Sequence, residues 1–216
     1  MPIIAAMTPK RRGAGITVVF DAAPAVELSE ETVARYGLRA GLALPDERIA
    51  SIAAEDERAR ATEAAWALLA YRARTRSELR QRLLRKGYGV EAVDAVLERL
   101  TALGYLDDAA FARALVSARQ RGPSARGSFA LRAELRRRGV QGAIAEDSVA
   151  LADDSAAVQT AAAKRARALS GLPYPDFRRR LFAFLQRRGF DRELAQSAVV
   201  AAWTSLHGGV DDEDDA

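Results

Sequence analysis

The residues with the chemistry to bind something are basic, and they come in clusters. Arg85-Lys86, Arg136-Arg137-Arg138 and Arg187-Arg188 each stand directly before a glycine: Gly87, Gly139 and Gly189. Arg72, Arg74 and Arg76 crowd one junction, Arg119, Arg121 and Arg126 flank Gly122-Pro123, and Arg178-Arg179-Arg180 form an unbroken run. Guanidinium groups at this density neutralise phosphates or carboxylates, with an affinity that falls with salt and reads no sequence. Two explanations compete for them. A cation in the last turn of a helix complements the helix dipole, which by itself accounts for the residues just before each glycine. Arg119, Arg121, Arg126 and the Arg178–Arg180 run sit elsewhere on their elements, where contact and mere solvation stand level.

Other chemistry is thinly supplied. The chain has no cysteine and one histidine, His207, which leaves no thiolate or histidine-cluster metal site and no usual nucleophile–base pair. Asp107-Asp108 and Asp153-Asp154 could pass for paired carboxylates, but each pair opens a helical pattern and reads as an N-cap. No glycine cluster has the spacing of a phosphate-cradling or dinucleotide loop. The expectation is a protein without catalysis, cofactor or metal. Trp66, Phe111, Phe177, Phe184 and Trp203 fall at helical spacing among leucines and are expected in the core.

Charge is more telling. The 216 residues carry 33 Lys and Arg against 29 Asp and Glu, a formal +4. Five of the acids are Asp211–Asp215, so residues 1–210 alone carry +9. A basic body suits a polyanionic partner or an acidic protein surface. The acidic end, 208–216, is expected as a solvated tail; a second reading folds it over the basic residues as an intramolecular mimic of DNA. No run approaches the roughly 20 apolar residues of a membrane span, so the expected address is the cytoplasm, with no membrane partner.

The elements that position these arginines repeat. Leu79 and Leu83 precede Gly87, Leu131 and Leu135 precede Gly139, and Leu181 and Leu185 precede Gly189, always eight and four residues ahead. The glycines are 52 and 50 residues apart, and an apolar residue (Tyr88, Val140, Phe190) follows each. Leucines four apart share a helix face. The glycine supplies the left-handed position that ends that helix, and the apolar residue folds back on it. Ala92 and Leu97, Ile144 and Val149, and Leu194 and Val199 recur five and ten residues beyond each glycine, in a third helix. Thr75-x-x-Glu78 is a capping-box pattern for one second helix. The repeated unit is thus three helices of about fifty residues, too small to bury its faces well alone.

The rest is read more briefly. Residues 1–15 mix Pro, Gly and basic residues and are expected without order. Ile16–Phe20 reads as a strand, Ser29–Tyr36 as a short helix, and Leu42–Leu44 as a partner strand. Pro45-Asp46 opens a long helix to about Arg74. The segments are therefore 1–15, a small α/β segment at 16–58, three-helix repeats at 59–104, 105–152 and 153–207, and the tail.

Three stretches carry a family resemblance: Arg76-Ser77-Glu78-Leu79 with Lys86-Gly87-Tyr88, Gly104-Tyr105-Leu106-Asp107-Asp108-Ala109-Ala110-Phe111-Ala112, and Arg188-Gly189-Phe190. Over about residues 60–205 the chain resembles the RecX family, modulators of the recombinase RecA. The polar Gln141-Gly142 start of one third helix and the acidic tail depart from the pattern. The resemblance implies an all-α protein of three tandem three-helix repeats, stacked in an elongated, curved array behind a small N-terminal α/β appendage. It implies a monomer that lies in the groove of the RecA–DNA filament. There it lowers ATP hydrolysis, strand exchange and co-protease activity, with weak, sequence-independent contact to single- and double-stranded DNA. A direct DNA-binding repressor of helix-turn-helix type is the alternative, since short helices ending in basic turns also suit a major groove.

Overall fold

The computed structural model describes residues 1–10 and 15–208; the expected acidic tail, apart from Gly208, lies outside the described residues, as do residues 11–14. Ten helices and one three-stranded sheet make up the described chain. It divides into two compact units, Met1–Leu106 and Asp107–Ala216.

The first unit opens with the sheet. Strands β1 (Ile4–Pro9), β2 (Ile16–Phe20) and β3 (Val26–Leu28) pair antiparallel in chain order. The expectation of no order over residues 1–15 therefore fails along β1. Short-range composition there is uninformative; pairing with β2 supplies the order, from Ile4 opposite Phe20 to Pro9 opposite Ile16. Leu42–Leu44 contributes a single bridge, Ile3 to Ala43, rather than a strand. Ser29 caps the short helix α1 (Glu30–Arg35) by accepting from Thr32 N–H.

The long helix α2 (Asp46–Tyr71) serves two cores. Ile52 packs with Ile4, Val18, Phe20 and Leu28 under the sheet, while Ala61 and Ala65 pack with Leu79, Leu83, Val93, Leu97 and Leu100. The second of these cores is closed by α3 (Arg76–Arg85) and α4 (Val90–Ala102), and Leu106 belongs to it. Asp56 fixes α1 to α2: its buried carboxylate accepts from Ser29 N–H at 2.9 Å and from the Ser29 hydroxyl at 2.6 Å, and Arg60 Nε lies 2.8 Å away. Burial pushes this carboxyl up, but the bonds from Ser29 and Thr32 and the Arg60 charge outweigh it and hold it below the ordinary range.

The second unit holds two repeats. Helices α5 (Asp108–Arg119), α6 (Ser128–Arg137) and α7 (Gly142–Ala150) enclose Ala112, Val116, Leu131, Leu135 and Val149. Helices α8 (Asp154–Arg167), α9 (Tyr174–Arg187) and α10 (Arg192–His207) enclose Ala161, Phe177, Leu181, Leu185 and Val199.

The helix ends follow the sequence signals. Gly87, Gly139 and Gly189 take φ of 91°, 74° and 81°, and the next residue's N–H returns to Leu83, Leu135 and Leu185 carbonyls. That is the Schellman arrangement, three times over. Thr75, Asp107, Asp153 and Asp191 cap α3, α5, α8 and α10. Gln141, at the departure from the family pattern, gives α7 no side-chain cap. Of the aromatics expected in the core, Phe177 is fully buried, and Phe111, Phe184 and Trp203 are half-buried against it or its neighbour core. Trp66 is not a core residue. The core face of α2 is taken by Ala65, and Trp66, one position round, lies edge-on against exposed Tyr105 at 4.4 Å. Among the described residues, no helix is long and apolar enough to cross a membrane.

Backbone contact joins the two repeats of the second unit. Gly127 N–H donates to Arg188 C=O at 3.0 Å, and Phe129 N–H to Gly189 C=O at 3.2 Å. A Cβ on Gly127 would lie 2.3 Å from the Gly189 carbonyl oxygen, and one on Gly189 would lie 2.3 Å from Ala130 N. Gly127 has φ of −82°, so Gly127→Ala tests this approach free of backbone strain. We expect it to lower stability by about 2–3 kcal/mol in urea titration. Gly142→Ala, whose Cβ meets nothing within 4 Å, is expected to leave stability unchanged or slightly raised.

Candidate nucleic-acid interface

The basic residues singled out by the sequence fall into three physical groups. Some are structural. Arg74 is buried, its Nε donating to Leu68 C=O at 3.0 Å, and burial depresses its pKa. It ties the α2–α3 loop to the end of α2, so its place among contact residues is corrected to the interior. Arg72 bonds Glu78 at 2.9 Å across the same loop, and Arg76 donates to the Thr101 hydroxyl at 3.2 Å.

A second group is held by one carboxylate. Glu134 on α6 is buried, and it receives Arg119 through Nε at 3.2 Å and Nη2 at 3.1 Å. Arg126 reaches the same carboxylate at 2.7 Å and Arg138 at 3.4 Å, with the Arg138 guanidinium also over the Phe111 ring. Burial pushes Glu134 up, but the Arg119 hydrogen bonds and the charges of Arg119, Arg126 and Arg138 prevail and hold it below the ordinary carboxylate range. Sequence reading did not single out Glu134. The signal was available: between Asp108 and Glu146 it is the one acid amid eight arginines, and it stands three residues after Leu131 and beside Leu135, in apolar register and therefore turned inward.

The third group stands outward. Arg85, Lys86, Arg121, Arg136, Arg137, Arg178, Arg179, Arg180 and Arg187 are exposed, and Arg188 is half-buried over the Phe184 ring at 4.9 Å. Arg121 donates to the Ser117 hydroxyl and Arg179 to Asp176. Arg85 and Lys86 lie in the first unit.

In the second unit three clusters converge. Arg119 and Arg126 from the α5–α6 segment, Arg137 from the end of α6, and Arg187 and Arg188 from the end of α9 line one open cleft of about 650 Å³. Its floor is small residues, Ala130 and Ala133, which lets the guanidinium groups surround rather than fill it. The Gly127–Gly189 contact seats the start of α6 against the C-terminal end of α9. Five guanidinium groups against one buried carboxylate leave a positive concavity matched to phosphate oxygens. Among the described residues no group of His, Cys, Asp and Glu is placed to hold a metal ion.

Two further inter-helix devices escaped the sequence reading. Asp153 caps its own helix, but Asp154 instead accepts from Ser128 N–H at 2.9 Å, capping α6 of the preceding repeat, and from the Gln120 amide at 3.1 Å. Arg80 pairs with Asp94 and Arg132 with Glu146, each seven residues before and after a repeat glycine.

Glu134 gives the cleft a pH dependence with a defined sign. Its pKa is lowered by folding, so its contribution is complete above about pH 4.5 and is lost as pH falls through the lower folded-state value. At pH 7, Glu134→Gln is expected to cost about 2 kcal/mol in chemical denaturation. The gap to the wild type should start to narrow below about pH 4.5 and keep shrinking as pH falls further. An equal gap at pH 7 and pH 3 would show that Glu134 acts by shape and not charge.

Comparison with known proteins places this architecture. Family models match three stretches: the RecX first three-helix domain at residues 61–100, the second at 107–149 and the third at 152–199. The "Regulatory protein RecX" of Pelodictyon phaeoclathratiforme is 37% identical over 133 residues, covering 61% of this chain and 82% of that protein. That of Amycolatopsis mediterranei is 35% identical over 153 residues, 69% of this chain and 87% of its own. A crystal structure of a regulatory protein RecX superposes with a TM-score of 0.65 at 21% identity, over 92% of this chain and 98% of that one. RecX from Lactobacillus salivarius gives 0.62 at 22% identity, over 68% and 97%. These two likenesses show the fold, and the sequence relatives with the three domain matches show the lineage. The chain belongs to the RecX family of regulatory proteins.

Proposed function

We propose that this protein binds the filament of RecA on DNA and lowers its ATP hydrolysis, strand exchange and co-protease activity, so tempering DNA repair and the SOS response. It acts as a cytoplasmic monomer, without catalysis of its own. The observation that carries this reading is the cleft where Arg119, Arg126, Arg137, Arg187 and Arg188 meet. A filament presents phosphates at regular spacing, and a positive concavity binds them with salt-dependent affinity and no preference for base. Family membership supports RecA as the partner. The electrostatics supply the attraction to its DNA.

Arg137, Arg187 and Arg188 are the informative positions, because removing Arg119 or Arg126 would also unbalance Glu134. DNA-dependent ATP hydrolysis by the cognate recombinase on single-stranded DNA is expected to fall at substoichiometric protein. Arg137→Ala/Arg187→Ala/Arg188→Ala should need roughly tenfold more protein for the same inhibition. Its binding to single-stranded DNA should depend less steeply on salt, by about 0.7 in slope for each phosphate no longer neutralised. No inhibition at saturation, with tight binding to one duplex sequence, would make the protein a repressor instead.

A further inference from the structure

Repeats two and three can be compared position by position with repeat one, and one slot differs in kind. Seven residues before and after the repeat glycine stand Arg80 and Asp94 in the first copy, and Arg132 and Glu146 in the second. In both, the pair bridges the second and third helices, at 2.8 Å and 2.6 Å. In the third copy the same positions hold Phe182 and Gln196. No ion pair can form there, and the groove between α9 and α10 stands open, about 410 Å³ in volume.

The lining of this groove has a coherent chemistry. Phe182 is half-buried against the third core, with the rest of its surface in the groove. Arg178 and Arg179 rise from α9, and Arg192 and Gln196 from α10. Arg179 meets Asp176 at 2.7 Å in an exposed pair, whereas Arg178 and Arg192 have no carboxylate partner among the described residues. An aromatic surface ringed by guanidinium groups accepts the π-face of a base while the cations take the flanking phosphates. A carboxamide at the wall offers both a donor and an acceptor to a base edge, so it discriminates weakly. A purely anionic partner would have no use for the ring.

We propose that the α9–α10 groove binds a nucleotide of single-stranded nucleic acid, its base on Phe182 and its phosphates on Arg178, Arg179 and Arg192. This rests on the reading that the protein contacts DNA, but it names a site apart from the cleft at Arg137 and Arg187. It assigns to the third repeat a grip on bases at the positions where the first two repeats hold ion pairs.

The test uses the full chain and two probes of equal length, oligothymidylate and an abasic oligonucleotide with the same phosphates, in fluorescence anisotropy at low salt. The wild type is expected to bind oligothymidylate about tenfold more tightly than the abasic strand, as one stacked base warrants. Phe182→Ala should lose that preference and keep the abasic affinity. Phe182→Trp should retain it and show Trp quenching on oligothymidylate. Phe182→Arg/Gln196→Glu rebuilds the ion pair of the second repeat, so it should fold, close the groove and bind both probes equally. Thermal melts of each variant establish that it is folded. Equal binding of both probes by the wild type, or an unchanged preference in Phe182→Arg/Gln196→Glu, overturns the proposal while leaving the proposed function intact. Failure of the wild type to bind either probe would instead remove its DNA-binding premise.

Discussion

Two repeats meet through bare backbone. Gly127 and Gly189 approach so closely that either would drive a Cβ to 2.3 Å from the opposing main chain. Around that point Ala125 enters the third repeat's core, and Asp154 reaches back to accept from the Ser128 N–H at the start of α6. That contact seats the basic end of α9, Arg187 and Arg188, beside the side of α6 that carries Ala130, Ala133 and Arg137. Charges that are dispersed in the sequence thus become neighbours, and a contact with no side chains determines the electrostatics of the surface above it.

Crowding arginines has a cost, and the structure meets it selectively. Glu134 is sheltered from water, where its field is less screened, and it engages three guanidinium groups at once. That pins Arg119 and Arg126 while leaving Arg137, Arg187 and Arg188 unneutralised. Arg74 goes further and serves the interior through a backbone carbonyl. The same residue type therefore performs three tasks within one small fold, distinguished by burial and by partner rather than by identity.

Much of this was legible in the chain before folding. The glycine spacing, the leucines four apart and the aspartate and threonine caps are local signals, written within one helix turn, and the three Schellman ends follow from them. What stayed hidden is non-local. Strand β1 acquires order from β2, whose paired residues lie 7 to 16 positions further along, and its own composition is silent. Asp154 looked like a cap for its own helix because its true partner, Ser128, lies 26 residues back. Trp66 has helical spacing with leucines, but the interior beside it was filled by alanine. Gly127 was unremarked because the matching positions twelve before the other repeat glycines, Thr75 and Phe177, bear side chains. Only the approach of a neighbouring repeat makes its bareness necessary.

The long helix α2 has a property that follows from its two cores. Ile52 and Ala61 are nine residues apart, which at 100° per residue puts them half a turn out of phase and about 13.5 Å apart along the axis. The sheet and the first repeat therefore grip opposite sides of one rod, and no single apolar stripe runs its length. The rod acts as a rotational gauge: its count of residues, more than their identity, fixes the angle at which the sheet is presented. Adding one residue between the two grips would leave both cores chemically intact yet turn one against the other by about 100°.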